Sequence, residues 1–132
     1  MTKPTDISGP REPYFLALQE ALFSAGIATP TLVIDKSRLN ENIDTLIGHL
    51  PDGMGYRIVA KSLPSVDLIK HIADRSGTDR LMTFNQPMLN ALSELMPDAN
   101  QLLGKPLPVR ASQTYFDVLP APQSDAADNI QW

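Results

Sequence analysis

The chain has 132 residues, which is enough for one domain with a hydrophobic core, and 42% of them are apolar. A formal net charge of −4 and lysines and arginines that occur singly argue against a nucleic-acid-binding protein. The absence of cysteine excludes disulfides and thiolate metal sites and is typical of a cytoplasmic protein, and no apolar run approaches the roughly 18 residues of a membrane span.

The first part of the sequence predicts a helix, a strand and a second helix. Residues 1–9 are polar, and we expect a flexible N-terminus there, before a helix that ends at Gly26. Residues 31–34, TLVI, are rich in β-branched side chains and predict a leading strand. Apolar residues then recur at helical spacing from Leu39 to Leu50, which predicts the second helix.

Three strand–helix pairs are predicted to follow. The strands begin near residues 56, 81 and 101, and the helices begin after Ser65, near Pro87 and at residue 109. Strands that alternate with helices of about ten residues indicate βαβ units and a parallel sheet. We therefore expect an α/β domain over residues 10–119. Residues 120–132 are polar, contain proline and lack periodicity, which predicts a disordered tail.

One lysine stands where the first of these paired strands ends. Residues 56–64 read YRIVAKSLP, so that Lys61 follows the β-branched run and precedes a turn. Ligands collect at the carboxyl ends of parallel strands, and a lysine amine there can attack a carbonyl group. An ordinary surface lysine, with its stem over apolar neighbours, satisfies the same pattern.

Other polar residues follow the later predicted strands at the same edge of the sheet. Asn85 and Gln86 follow the second strand, where they either present amides to a ligand or cap the helix ahead of Pro87. Lys105 follows the third strand and is either a ligand contact or a solvated loop lysine. His71, on the helix after Lys61, is interpreted as a structural or solvated histidine, and we expect no metal site.

Four segments carry a resemblance to a known family. TPTLVIDKSRLNENIDTL (residues 29–46) and RIVAKSLPS (residues 57–65) resemble the first part of the alanine racemase N-terminal domain family, the fold-type III pyridoxal phosphate enzymes. The likeness continues through LMTFNQPMLNAL and LLGKPLPVRA, so it covers roughly residues 28–118. The nearer likeness is to the branch that contains D-threonine aldolase and D-serine dehydratase. In this resemblance Lys61 falls on the position of the cofactor lysine.

The resemblance implies a fold and a set of cofactor contacts. The fold would be a partial TIM-like (β/α) barrel, with about three βα units after a leading helix and strand. Lys61 would form the Schiff base with pyridoxal 5'-phosphate. Arg57 matches an arginine common in the branch, which implies cofactor binding, although an ordinary strand charge is an equal alternative. The branch often carries a second lysine in a Thr-His-Lys pattern shortly after the first; the corresponding residues here are Ser62, Leu63 and Pro64, so its role is not transferred.

The resemblance also implies a function. We expect the N-terminal portion of a pyridoxal phosphate-dependent lyase or racemase that acts on D-amino or β-hydroxy amino acids, with aldol cleavage, dehydration and racemisation as alternative reactions. Later barrel strands and a C-terminal domain, which carry the phosphate loops and the branch's metal ligands, are not matched. The alternatives are therefore a truncated, non-catalytic cofactor-binding or interaction fragment, and a small α/β domain unrelated to the cofactor. We expect a homodimer or a complementing fragment to stabilise the chain.

Overall fold

The computed structural model describes residues 12–62, 64–118 and 128–131. They form two compact units, one that ends at Asp35 and one that begins at Lys36. The predicted flexible N-terminus, residues 1–9, lies outside the described residues. In chain order the elements are α1 Pro13–Ser24, α2 Lys36–Gly48, β1 Ile58–Val59, α3 Val66–Ser76, β2 Arg80–Thr83, α4 Gln86–Leu95, β3 Asn100–Leu103, α5 Val109–Val118 and β4 Ile130–Gln131.

The first unit contains one helix, followed by a segment without regular secondary structure. Helix α1 begins with a proline in its first turn, and the chain leaves it through Gly26, whose φ of 68° suits glycine. The predicted strand at residues 31–34 is wrong, because these residues belong to no strand and Leu32 is 74% exposed. Their β-branched side chains favour an extended backbone, but a strand also needs a neighbour with which to pair, and no described strand pairs with this segment.

The second unit is built around a four-stranded parallel sheet. Its strand order is β1-β2-β3-β4, the same as the order along the chain. Ile58 pairs with Leu81, Leu81 with Gln101, and Gln101 with Ile130, so four strands share one register row. The three predicted strand–helix pairs are confirmed as β1–α3, β2–α4 and β3–α5.

Helix α3 shows how local sequence sets the ends of an element. Ser65 accepts a hydrogen bond from the Leu68 N–H at 3.4 Å and caps the helix, as its position predicts. Gly77 ends the helix in the left-handed conformation at a φ of 67°. Between these ends, Ile69 and Ala73 are buried against the sheet.

The helices cover one face of the sheet. The register row that begins at Ile58 is buried together with apolar residues of α3, α4 and α5. These residues form two clusters. The main members of the first are Ile58, Ile69, Leu81 and Leu92, and the second consists of Leu89, Leu103, Tyr115 and Ile130. The next row begins at Val59, which is 41% exposed, and continues through the half-buried Met82 and Leu102 to the exposed Gln131. We call this second side the open face of the sheet.

Strand β4 corrects the predicted disordered tail. Ile130 and Gln131 lie within residues 120–132, yet they pair in parallel with β3. Ile130 is 8% exposed and packs beside Leu103 and Tyr115, so one apolar side chain in a polar segment completes a buried cluster. A two-residue strand is too short to produce a detectable period, which is why the sequence pattern does not reveal it. Residues 119–127 and Trp132 lie outside the described residues.

Candidate functional site

Lys61 lies at the carboxyl end of β1. The Ala60 N–H donates to the Met82 carbonyl at 3.0 Å, so the chain still follows β2 one residue beyond the strand. Lys61 comes next and is exposed. The register brings Lys61 level with Phe84, and the Lys61 Nζ lies 4.2 Å from the centroid of the Phe84 ring. The predicted position of Lys61 at a strand end is therefore confirmed, and because it comes two residues after Val59, Lys61 lies on the open face.

The end of β3 completes this arrangement. The Gly104 N–H donates to the Thr83 carbonyl at 2.8 Å, which holds residue 104 beside residue 84. A Cβ atom at position 104 would lie 2.5 Å from Cε1 of Phe84, so only glycine leaves room for the ring in this position. Lys61, Phe84 and Gly104 thus form a row across the ends of three neighbouring strands. We refer to these three residues as the strand-end row.

The solvent exposure of Lys61 matches the ordinary surface-lysine alternative. Sequence reasoning about a covalent lysine favours a partly dry pocket, because burial disfavours the ammonium form. A cavity of about 120 Å³ is lined by Ala60, Pro64 and apolar residues of α3 and α4, so it lies on the helix side of the sheet, and Lys61 does not line it. It is also smaller than the roughly 300 Å³ at which ligand pockets begin.

Arg57 lies at the amino end of β1, whereas Lys61 follows the carboxyl end of that strand. Its guanidinium donates to the Leu81 carbonyl at 2.8 Å, and to the Asn100 carbonyl and Oδ1 at 3.0 and 2.8 Å. A fourth bond reaches Gln131 Oε1 at 3.2 Å. Burial, and then the charge of Arg80, lower the pKa of Arg57. The structure therefore joins Arg57 to β2, β3 and β4 and does not bring it to Lys61.

The other sequence candidates have local structural roles. Asn85 Oδ1 accepts from the Met88 N–H at 2.9 Å and caps α4, which accounts for Asn85 by the capping alternative. Lys105 is exposed in the loop after β3. His71 Nε2 lies 2.7 Å from Asn40 Oδ1, so it donates to that oxygen and joins α3 to α2.

A buried polar chain between the sheet and the helices was not visible in the sequence pattern. Ser93 Oγ lies 2.7 Å from the Tyr115 hydroxyl and accepts from Gln101 Nε2 at 3.0 Å. Tyr115 is 1% exposed, and burial raises its pKa, while the hydrogen bond to Ser93 acts in the opposite direction. Thr83 Oγ1 and Gln101 Oε1 are buried without a hydrogen-bond partner. A glutamine at a core-facing position of β3 is the one sequence signal that indicates this buried polar chain of hydrogen bonds.

The described residues contain no group of three or more histidine or acidic side chains placed to hold a metal ion. Among the helices that the structure describes, none has the length and apolar character needed to cross a membrane. Comparison with protein-family models, with curated proteins and with solved structures found no match for this chain.

Proposed function

We propose that this chain carries the cofactor lysine of a pyridoxal phosphate-dependent enzyme and corresponds to the N-terminal portion of a lyase or racemase for D-amino or β-hydroxy amino acids. Lys61 is the residue that binds the cofactor covalently. The observation that carries the proposal is the position of Lys61 at the carboxyl end of a parallel strand, on the sheet face that the helices leave open. The family resemblance of the segments around Lys61 supplies the choice of cofactor.

The topology of the second unit supports a partial TIM-like barrel. A barrel wall has strands in sequential order with helices on one face only, and the part of the chain that the structure describes has both features. In a doubly wound sheet the strand order reverses and helices cover both faces. The described sheet supplies four strands of the eight that a barrel needs. In a closed barrel the open face would be the inner surface, and Lys61 would stand at its mouth.

The strand-end row fits one end of the proposed cofactor. Pyridoxal phosphate supplies an aldehyde that binds an amine and a ring system that withdraws electrons from the substrate α-carbon. The exposed Lys61 amine is accessible to that aldehyde, and Phe84 offers an aromatic surface beside it. Arg57 does not fit the same site, because both terminal nitrogens of its guanidinium donate to residues near the amino ends of β2 and β3. The cofactor contacts that we propose are therefore Lys61 and Phe84, without Arg57.

A second candidate function is cofactor binding without turnover. It is favoured by the exposure of Lys61, since an amine open to water lacks the dry surroundings that support acid–base catalysis at a lysine. Within the described sheet, β1 and β4 each pair with one neighbouring strand, so their outer edges offer backbone groups for pairing. We propose that a second copy or a complementing fragment pairs there and that turnover requires it. Sedimentation measures this directly: the proposed pairing predicts a dimer or a larger species, and a stable monomer that turns over a D-amino acid contradicts it.

The experiment for the proposed function is a cofactor titration followed by absorbance. Lys61→Ala is compared with Lys105→Ala, a matched control because both lysines follow a strand and are exposed. Formation of the Schiff base changes the absorbance of pyridoxal phosphate. We expect this change with the original chain and with Lys105→Ala, and we expect no such change with Lys61→Ala. Equal changes in both variants contradict the role of Lys61. Turnover of D-threonine, D-serine or alanine by the chain that binds cofactor then favours the enzyme over the non-catalytic alternative.

A further inference from the structure

We infer that Phe84 is a positioning residue that holds the Lys61 ammonium at the open face and competes with an incoming carbonyl group for that amine. The inference deepens the proposed function, since its importance for the cofactor rests on Lys61 being the cofactor lysine. The contact itself is independent of any cofactor. It assigns a role to two residues, Phe84 and Gly104, that sequence reasoning did not connect with the lysine.

The Phe84 ring has Lys61 on one side and Gly104 on the other. Phe84 follows β2 and is half-buried, with the Lys61 Nζ at 4.2 Å from its centroid. Gly104 lies at the same level of β3, and its missing side chain is what leaves room for Cε1, Cζ and Cδ1 of the ring. The backbone bond from Gly104 N–H to the Thr83 carbonyl keeps the two strands together at this level. The ring therefore has a defined place above which the lysine lies.

The chemistry follows from the charge of the amine. The face of an aromatic ring attracts an ammonium group within about 6 Å of its centroid, and it does not attract a neutral amine in this way. Only the neutral amine attacks a carbonyl carbon. The Lys61 side chain must therefore leave the face of the Phe84 ring before its amine can react with a carbonyl group. A bound cofactor must supply enough binding energy to displace this contact.

The test measures how fast a small aldehyde modifies Lys61. Formaldehyde condenses with a neutral amine with loss of water, and cyanoborohydride then delivers the hydride that fixes a methyl group. Limited methylation followed by peptide mass mapping gives the ratio of modification at Lys61 to that at Lys70, an exposed lysine of α3 in the same molecule. Since formaldehyde needs no cofactor site, the ratio is independent of the proposed cofactor.

Three variants separate the ring contact from a general structural effect. Phe84→Leu removes the ring, and we expect the ratio to rise about 2- to 5-fold, as the loss of an exposed cation–π contact implies. Gly104→Ala displaces the ring through the added Cβ, and we expect a rise in the same direction. Phe84→Tyr keeps an aromatic face and should retain the original ratio. Each variant is compared in its folded state, checked by circular dichroism.

Two results would overturn the inference. One is an unchanged ratio in both Phe84→Leu and Gly104→Ala. The other is a rise in Phe84→Tyr equal to that in Phe84→Leu, because the aromatic face would then have no part in the effect. Neither result bears on whether Lys61 binds pyridoxal phosphate. Conversely, the expected ratios with no cofactor bound at Lys61 would support the contact and contradict the proposed function.

Discussion

Replacement of Arg57 by methionine is the sharpest perturbation of the fold. Methionine keeps an unbranched apolar stem and removes every hydrogen-bond donor of the guanidinium. The lost bonds join the residue before β1 to Leu81, Asn100 and Gln131, which belong to the other three strands. We therefore expect the change to weaken the sheet as a whole.

The magnitude follows from the bonds. Three of the four have partly buried partners, at 2.8, 3.0 and 2.8 Å, and the fourth, to Gln131, is exposed. A net contribution of roughly 1 kcal/mol for each partly buried bond gives a loss of about 3 kcal/mol in the free energy of unfolding. Since a small domain is stable by only about 5–15 kcal/mol, this loss is a large fraction of the total.

The assay is equilibrium unfolding in urea, with Arg110→Met as the matched control. Arg110 is an exposed arginine in the first turn of α5, so its replacement should leave the midpoint nearly unchanged. With an m-value of roughly 1–3 kcal/mol per M, the midpoint of Arg57→Met should fall by about 1–3 M. Equal midpoints for the two variants would refute the reasoning. If Arg57→Met leaves the unfolding midpoint unchanged and weakens cofactor binding, Arg57 instead belongs to the cofactor site.

Three further predictions concern the buried polar chain and a helix end. Ser93→Ala leaves the Tyr115 hydroxyl and Gln101 Nε2 without their shared partner, so we expect a loss of about 1–3 kcal/mol in urea unfolding; a loss no larger than that of an exposed serine would contradict the buried chain. Because burial raises the pKa of Tyr115 above its ordinary 10.0, the unfolded chain loses this proton first, and stability should fall as the pH rises above about 10. Tyr115→Phe should reduce this loss of stability at high pH. A stability profile identical to that of the original chain would contradict the assignment of the loss to Tyr115. Gly77→Ala forces a side chain into a φ of 67° and should cost about 1 kcal/mol, seen as a lower melting temperature.

Local signals made the strand–helix pairs predictable. Ser65 and Gly77 lie at the two ends of α3, and Asn85 with Pro87 marks the start of α4, because caps and turns depend on residues that are close in sequence. The strand-end position of Lys61 followed from the same reasoning, since a β-branched run ahead of a turn sets where β1 ends.

The features that the sequence did not predict depend on contacts between residues far apart in sequence. Residues 31–34 have strand propensity without a partner strand, whereas β4 has a partner and almost no sequence signal. The family resemblance implies cofactor binding by Arg57, but no local pattern shows its hydrogen bonds to residues 43 and 74 positions away. The contact between Lys61 and Phe84 likewise depends on the register of β1 and β2, which no local pattern specifies.

Covalent labelling at Lys61 tests the central claim most directly. Substoichiometric pyridoxal phosphate is added to the chain, the adduct is reduced with borohydride, and the modified lysine is located by peptide mass mapping. We predict that Lys61 carries most of the label, ahead of Lys70 and Lys105, because binding in a site outweighs the few-fold slowing by the Phe84 ring. A label spread over exposed lysines in proportion to their exposure, or absent from Lys61, would contradict the claim.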